Sequence, residues 1–126
     1  MTDAHPAIAV ARRFVDAIER GDLAALNDSF AAEALIWHNT DRRWQTKAEN
    51  SVAAQAFFDA FSSRKYSVER LEPLSDGAVL QFVAHLVRTD GRTLDWPGCA
   101  IFEVRDGRTV RLMEYIDAAS FVAAVG

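Results

Sequence analysis

Three ionisable side chains interrupt rows that are largely apolar: His38, His85 and Glu114. In the stretch AEALIWHNT (residues 32–40), alternation puts Ala34, Ile36 and His38 on one face of a strand. The same period sets His85 in a row with Val79, Gln81, Val83 and Val87, and sets Glu114 in a row with Val110, Leu112 and Ile116. An ionised carboxylate on such a face costs several kcal/mol unless it is paired, hydrogen-bonded or wet. Burial raises a glutamate pKa, whereas a neighbouring imidazolium lowers it. A Glu–His pair in a partly wet pocket resolves the cost, and groups tuned in that way suit proton transfer near neutral pH. Glu114 is the expected base, acting on water or on an acidic C–H. His38 would orient or share that proton, and His85 would donate a proton or bond a developing oxyanion.

Blander readings stand beside these. A histidine on a mixed face also serves as a hydrogen-bonded core or interface residue. Glu114 lies on the surface if the row holding Val110 faces outward. Trp37 and Trp96 serve equally as packing residues, and Asp117 as a helix cap. His5 has no assigned role, and the DRR at residues 41–43 reads as a solvated loop, with a place at a pocket mouth as the other option.

The elements that would position these groups follow from local signals. From Pro6 to Arg20, Ile8, Val10, Ala11, Phe14, Val15 and Ile18 recur at helical spacing; Pro6 suits the first turn and Gly21 the position past the end. Asp22 can cap a second short helix carrying Leu23, Leu26 and Phe30. A strand over Ala34–Asn39 comes next, then a polar loop, TDRRWQ. A third helix opens on Thr46 and Glu49 at capping-box spacing and carries Val52, Phe57, Phe58 and Phe61. Beyond Arg64, four strand-like runs follow, with Asp-Gly turn signals in TDGR and RDGR. The segment DAASFVAAVG reads as a final short helix. The expectation is one α+β domain over residues 1–126, with helices packed on one face of a twisted antiparallel sheet.

Composition limits the function classes. A chain of 126 residues buries roughly two-thirds of its unfolded surface. A net charge of −4 argues against nucleic acid as the main partner. One cysteine, Cys99, permits no internal disulfide and no CxxC metal site, which points to the cytoplasm. The N-terminus has no signal-peptide pattern, and no apolar run approaches the roughly 20 residues of a membrane span.

FVDAIERGDLAALNDSFAAEALIWHN, the strand-rich half and the ending RDGRTVRLMEYIDAASF together resemble the nuclear transport factor 2-like superfamily, closest in flavour to its SnoaL-like branch. The resemblance covers nearly the whole chain. It implies a cone-shaped curved sheet wrapped around helices, with a hydrophobic pocket at the mouth. It sets His38 where ketosteroid isomerases carry a proton-shuttling Asp and where limonene epoxide hydrolases carry a water-positioning Asn. Glu114 falls where the epoxide hydrolases have the Asp that activates water. Their Arg and first Asp correspond to Val83 and His85, and their water-holding Tyr to Ile36. The isomerase oxyanion-hole Tyr corresponds to Phe14, and its buried Asp falls near Cys99 or Ala100. Neither named reaction carries over whole.

The expected function is cofactor-free acid–base chemistry on a small apolar molecule, by hydrolysis, isomerisation or cyclisation of a polyketide-, terpenoid- or steroid-like compound. Trp96, Ile36, Val83, Val87 and Leu112 are expected on the apolar wall, with Trp37 near the rim. Ile116, Phe14 and Phe58 complete the expected binding set. The alternative is a non-catalytic ligand-binding dimer. A third reading, a metal held by His38, His85 and Glu114, has the ligand types without a supporting spacing, so no metal is expected. A homodimer is expected through the outer sheet face, because the run from Ala78 to Arg88 is apolar on both sides.

Overall fold

In the computed structural model, which describes residues 5–117 and 119–120, every helix begins on a side-chain cap. Helix α1 spans Pro6–Arg20; the His5 imidazole accepts from the Ala7 N–H, and Gly21 closes the helix at φ 63°. Asp22 caps α2 (Leu23–Asp28), accepting from the Ala25 N–H at 3.0 Å. Thr46 and Glu49 form a reciprocal capping box at the start of α3 (Lys47–Ala60).

The strands are β1 (Phe30–His38), β2 (Arg43–Thr46), β3 (Phe61–Leu74), β4 (Gly77–Arg88), β5 (Thr93–Arg105) and β6 (Arg108–Ile116). They form one curved, unclosed sheet in the order β2-β1-β6-β5-β4-β3. Three hairpins make β3 to β6 antiparallel, but β1 joins β6 in parallel, so the sheet is mixed and not antiparallel as expected. The long excursion through α3 and β3–β5 brings the chain back beside β1 in the same direction. Arg43–Gln45 of the expected polar loop, together with Thr46, pair with β1 as the edge strand β2. Bulges at Ser62 and Glu69 in β3 and at Val110 in β6 bend these strands and add to the curvature.

The inner face packs on the helices. Phe14 of α1 meets Phe102 edge-on at 5.2 Å, and Phe30, Leu80, Phe82 and Leu112 are fully buried around it. Arg64, itself buried, donates to the carbonyls of Ile18 (2.8 Å), Phe58 (3.4 Å) and Phe61, with its guanidinium over the Phe58 ring. One cation thereby ties the end of α1 to the end of α3. Just past the end of β6, Asp117 accepts from the Ala119 N–H and the Ser120 hydroxyl, as a cap would. The rest of the expected C-terminal helix, residues 121–126, lies outside the described residues. No described helix is long and apolar enough to cross a membrane.

Candidate active site

The parallel pairing of β1 with β6 sets His38 directly beside Glu114, both on the inner face. The His38 Nε2 lies 3.2 Å from the Glu114 Oε1, with 25% of the histidine side chain and 14% of the glutamate exposed. Asn39 holds this register. Its main-chain N–H donates to the Glu114 carbonyl at 3.0 Å, and its side-chain amide exchanges two 2.9 Å hydrogen bonds with the backbone of Ile116. The amide thus imitates a peptide group and extends the ladder one residue past the strand. Burial pulls the His38 pKa down, but the hydrogen bond to Glu114, its charge and the charge of Asp41 outweigh it and raise the pKa. The contact with Glu114 therefore favours the imidazolium form more than an unpaired histidine would.

The pair forms one wall of a cavity of about 230 Å³. Its apolar lining includes Trp96, stacked on Phe57 at 5.7 Å, together with Phe14, Phe82, Leu112 and Ile116. Polar groups enter from one end (Thr40, Asp41 and Gln45), from α3 (Asn50) and from β3 (Tyr66). Burial, with the negative charges of Glu114 and Glu19 adding to it, pushes the Tyr66 phenol well above its ordinary pKa. It therefore stays a neutral hydroxyl. A larger depression of about 650 Å³ lies between α1 and the β5–β6 turn, but it is shallow and edged by Arg13, Asp16, Arg20 and Arg108. It offers no enclosed apolar surface to a ligand.

Six of the expected residues line the cavity: His38, Glu114, Trp96, Leu112, Ile116 and Phe14. The other six sit elsewhere. His85, Val83 and Val87 belong to the outer face of β4, because Ala84 is the residue opposite Trp96 and His85 is opposite Asp95. The reason is the β4–β5 turn. A two-residue Asp-Gly turn would set His85 opposite Trp96, but the loop takes three residues, Thr89–Gly91, closed by the Arg88 N–H on the Arg92 carbonyl. That slip of one residue turns every side chain of β4 over. On the outside, His85 bridges Ser67 and Asp95 at 2.8 Å each across three strands. It is remote from Glu114, so the two-histidine metal set is not assembled. Among the described residues, no group of three or more His, Cys, Asp or Glu side chains is placed to hold a metal ion.

Trp37 also points outward, packing on Tyr115 at 5.1 Å. Ile36 is fully buried in the core, and Phe58 packs under Arg64 while its neighbour Phe57 reaches the cavity. Sequence reasoning missed Tyr66, Phe57, Asn50 and Gln45. The row Leu80, Phe82, Ala84 and Leu86 was a usable signal for Phe82, whereas Gln45 lay in a stretch read as loop.

A family model described as the SnoaL-like domain matches residues 11–112. The chain belongs to that family. It is thereby a SnoaL-like member of the nuclear transport factor 2-like superfamily. No curated protein matches it. Among solved structures, this SnoaL-like chain is similar to IdmH, a candidate polyketide cyclase from Streptomyces antibioticus, at 19% identity over 97% of this chain and 99% of that one, with a TM-score of 0.82. A protein of ketosteroid isomerase-like fold from Catenulispora acidiphila, in complex with trimethylamine, aligns at 13% identity and TM-score 0.80 over 91% and 90% of the two chains. An LEH-like epoxide hydrolase from M. tuberculosis aligns at 14% identity and TM-score 0.79 over 94% and 88%. At these identities the likeness shows the fold.

Proposed function

We propose that this SnoaL-like protein is an enzyme that performs cofactor-free acid–base chemistry on a small, largely apolar molecule. The observation that carries the reading is the His38–Glu114 pair, 3.2 Å apart on the wall of an apolar cavity. The Glu114 carboxylate would take a proton from water or from an activated C–H. The His38 imidazolium would return a proton to the oxygen that gains charge, and the short contact lets the proton on Glu114 pass back to His38 after turnover. Tyr66, neutral and at the cavity wall, is suited to the hydrogen-bond donor role that the sequence suggested for His85. Hydrolysis, isomerisation and cyclisation of polyketide-, terpenoid- or steroid-like compounds all fit this set, and the candidate cyclase and epoxide hydrolase among similar folds point the same way.

The test is a panel of apolar epoxides, lactones and β,γ-unsaturated ketones, followed for binding and for product by mass spectrometry. Wild type is expected to turn over one class. Glu114→Gln should bind it with little change and lose at least about 10²-fold in kcat, the low end for one positioned acid or base. Binding by both proteins with no product from either would replace the enzyme with a non-catalytic binder in which His38 and Glu114 are a structural pair.

A homodimer through the outer sheet face belongs to the same proposal. Trp44 and Tyr115 stay 44% and 45% exposed there, on the side where Trp37 and Met113 also face out. A second copy would cover this surface, and sedimentation equilibrium at micromolar concentration gives the answer. The free thiol of Cys99 is in keeping with a reducing cytoplasm.

A further inference from the structure

Gln45 lies opposite Ile36 in the β1–β2 ladder, and directly opposed residues share a face, so its side chain projects inward with the fully buried Ile36. It lines the same cavity as His38 and Glu114. Its Oε1 is buried from solvent and accepts no hydrogen bond among the described residues. An amide oxygen in that position loses its hydration without a replacement, and buried polar groups rarely stay unmet. The nearest catalytic acceptor is differently placed: Glu114 already has its Oε1 beside the His38 ring. The cavity thus contains an apolar lining, an acid–base pair in mutual contact and, in Gln45 Oε1, a buried acceptor with no donor among the described residues.

We propose that Gln45 is a specificity-determining residue whose Oε1 receives a hydroxyl or N–H hydrogen from the bound molecule. The preferred ligand is then an apolar ring system that carries a hydrogen-bond donor, such as a phenol, enol or alcohol. A bare hydrocarbon or an ether leaves the Gln45 oxygen unmet and binds less well. Discrimination of this kind is strong because the penalty falls on the wrong ligand as a buried, unpaired protein group. Hydrophobic burial alone works in the opposite direction, since a hydroxyl resists leaving water. The inference rests on the reading of the cavity as a ligand site; it does not require turnover.

The experiment measures dissociation constants of 2-naphthol, 2-methoxynaphthalene and naphthalene by calorimetry, for wild type, Gln45→Met, Gln45→Leu and Glu114→Gln. Circular dichroism confirms that each variant is folded, and the two Gln45 variants guard against the failure of one. Wild type should prefer 2-naphthol over both other compounds by about 5- to 150-fold, the range set by one unmet buried acceptor. In the Gln45 variants that ratio should fall to about threefold or less without loss of naphthalene affinity, and in Glu114→Gln it should persist. Equal affinities in wild type, or a preference that survives in the Gln45 variants, would overturn the proposal. If none of the three binds, the ligand-site reading falls and the inference falls with it. Binding with the expected preference but no turnover of any compound class would remove the enzyme reading and leave this one standing.

Discussion

A double-mutant cycle between His38 and Glu114 probes the centre of the site. Two full charges 3.2 Å apart attract by about 5 kcal/mol at an effective dielectric constant of 20. Desolvation of the two ions costs several kcal/mol each and cancels most of that. The residual exposure of both side chains reduces gain and cost alike, so the coupling should be that of one charge-assisted hydrogen bond, about 1.5–3 kcal/mol. The perturbations are His38→Leu, Glu114→Leu and the double variant, none of which can form a new hydrogen bond at either position. Each single variant leaves a polar group without its partner in an apolar wall, whereas the double variant does not. The double should therefore lose less stability than the two singles together. The pH dependence has a definite sign. The His38 pKa is raised in the folded protein above its ordinary value of 6.5, so the stabilisation is full below 6.5 and declines as pH rises through the folded value. Urea denaturation at pH 6 and at pH 9 should give a larger coupling at pH 6. A coupling under about 0.5 kcal/mol at pH 6, or one that grows towards pH 9, would refute the argument.

Substitutions at three further positions test the frame around the site. Arg64→Leu should cost about 3 kcal/mol in urea denaturation, because three carbonyls at the ends of α1 and α3 lose a charged donor; Arg64→Lys should recover only part, since an ammonium lacks the planar fork. Asn39→Ala removes the side-chain bonds to the Ile116 backbone and should cost about 1–2 kcal/mol. It should also bring the His38 titration, followed by NMR, down towards that of a histidine without its partner. Gly98→Ala would put a methyl carbon 2.6 Å from the Phe82 ring and 3.0 Å from the Tyr115 carbonyl, so a loss of about 1–3 kcal/mol and a tighter cavity are expected by calorimetry.

The helix caps, the turn signals and the inward rows of β1, β5 and β6 were legible in the sequence because each depends on neighbours a few residues apart. His5 shows the limit of that reading even locally, for an imidazole cap is an uncommon choice and no role was assigned to it. Glu114 and His38 were legible for a further reason: each is a polar group in an apolar row, an anomaly that needs no knowledge of the fold. That the two rows face the same side was a matter of alternation; that they lie side by side was not.

What only the tertiary structure decided is every relation that passes through register or through chain return. The strand β4 is apolar on both faces, so its own alternation is equally satisfied with His85 inside or outside, and the length of the Thr89–Gly91 loop made the choice. The parallel union of β1 and β6 joins residues more than half the chain apart, and the pair distance of 3.2 Å exists only because of it. Gln45 became part of the site when an edge strand formed from residues too polar to announce one. A sequence states which residues want to be buried and with what period; which partner each one meets is set by the register, where a shift of one residue costs nothing in local propensity and inverts the face.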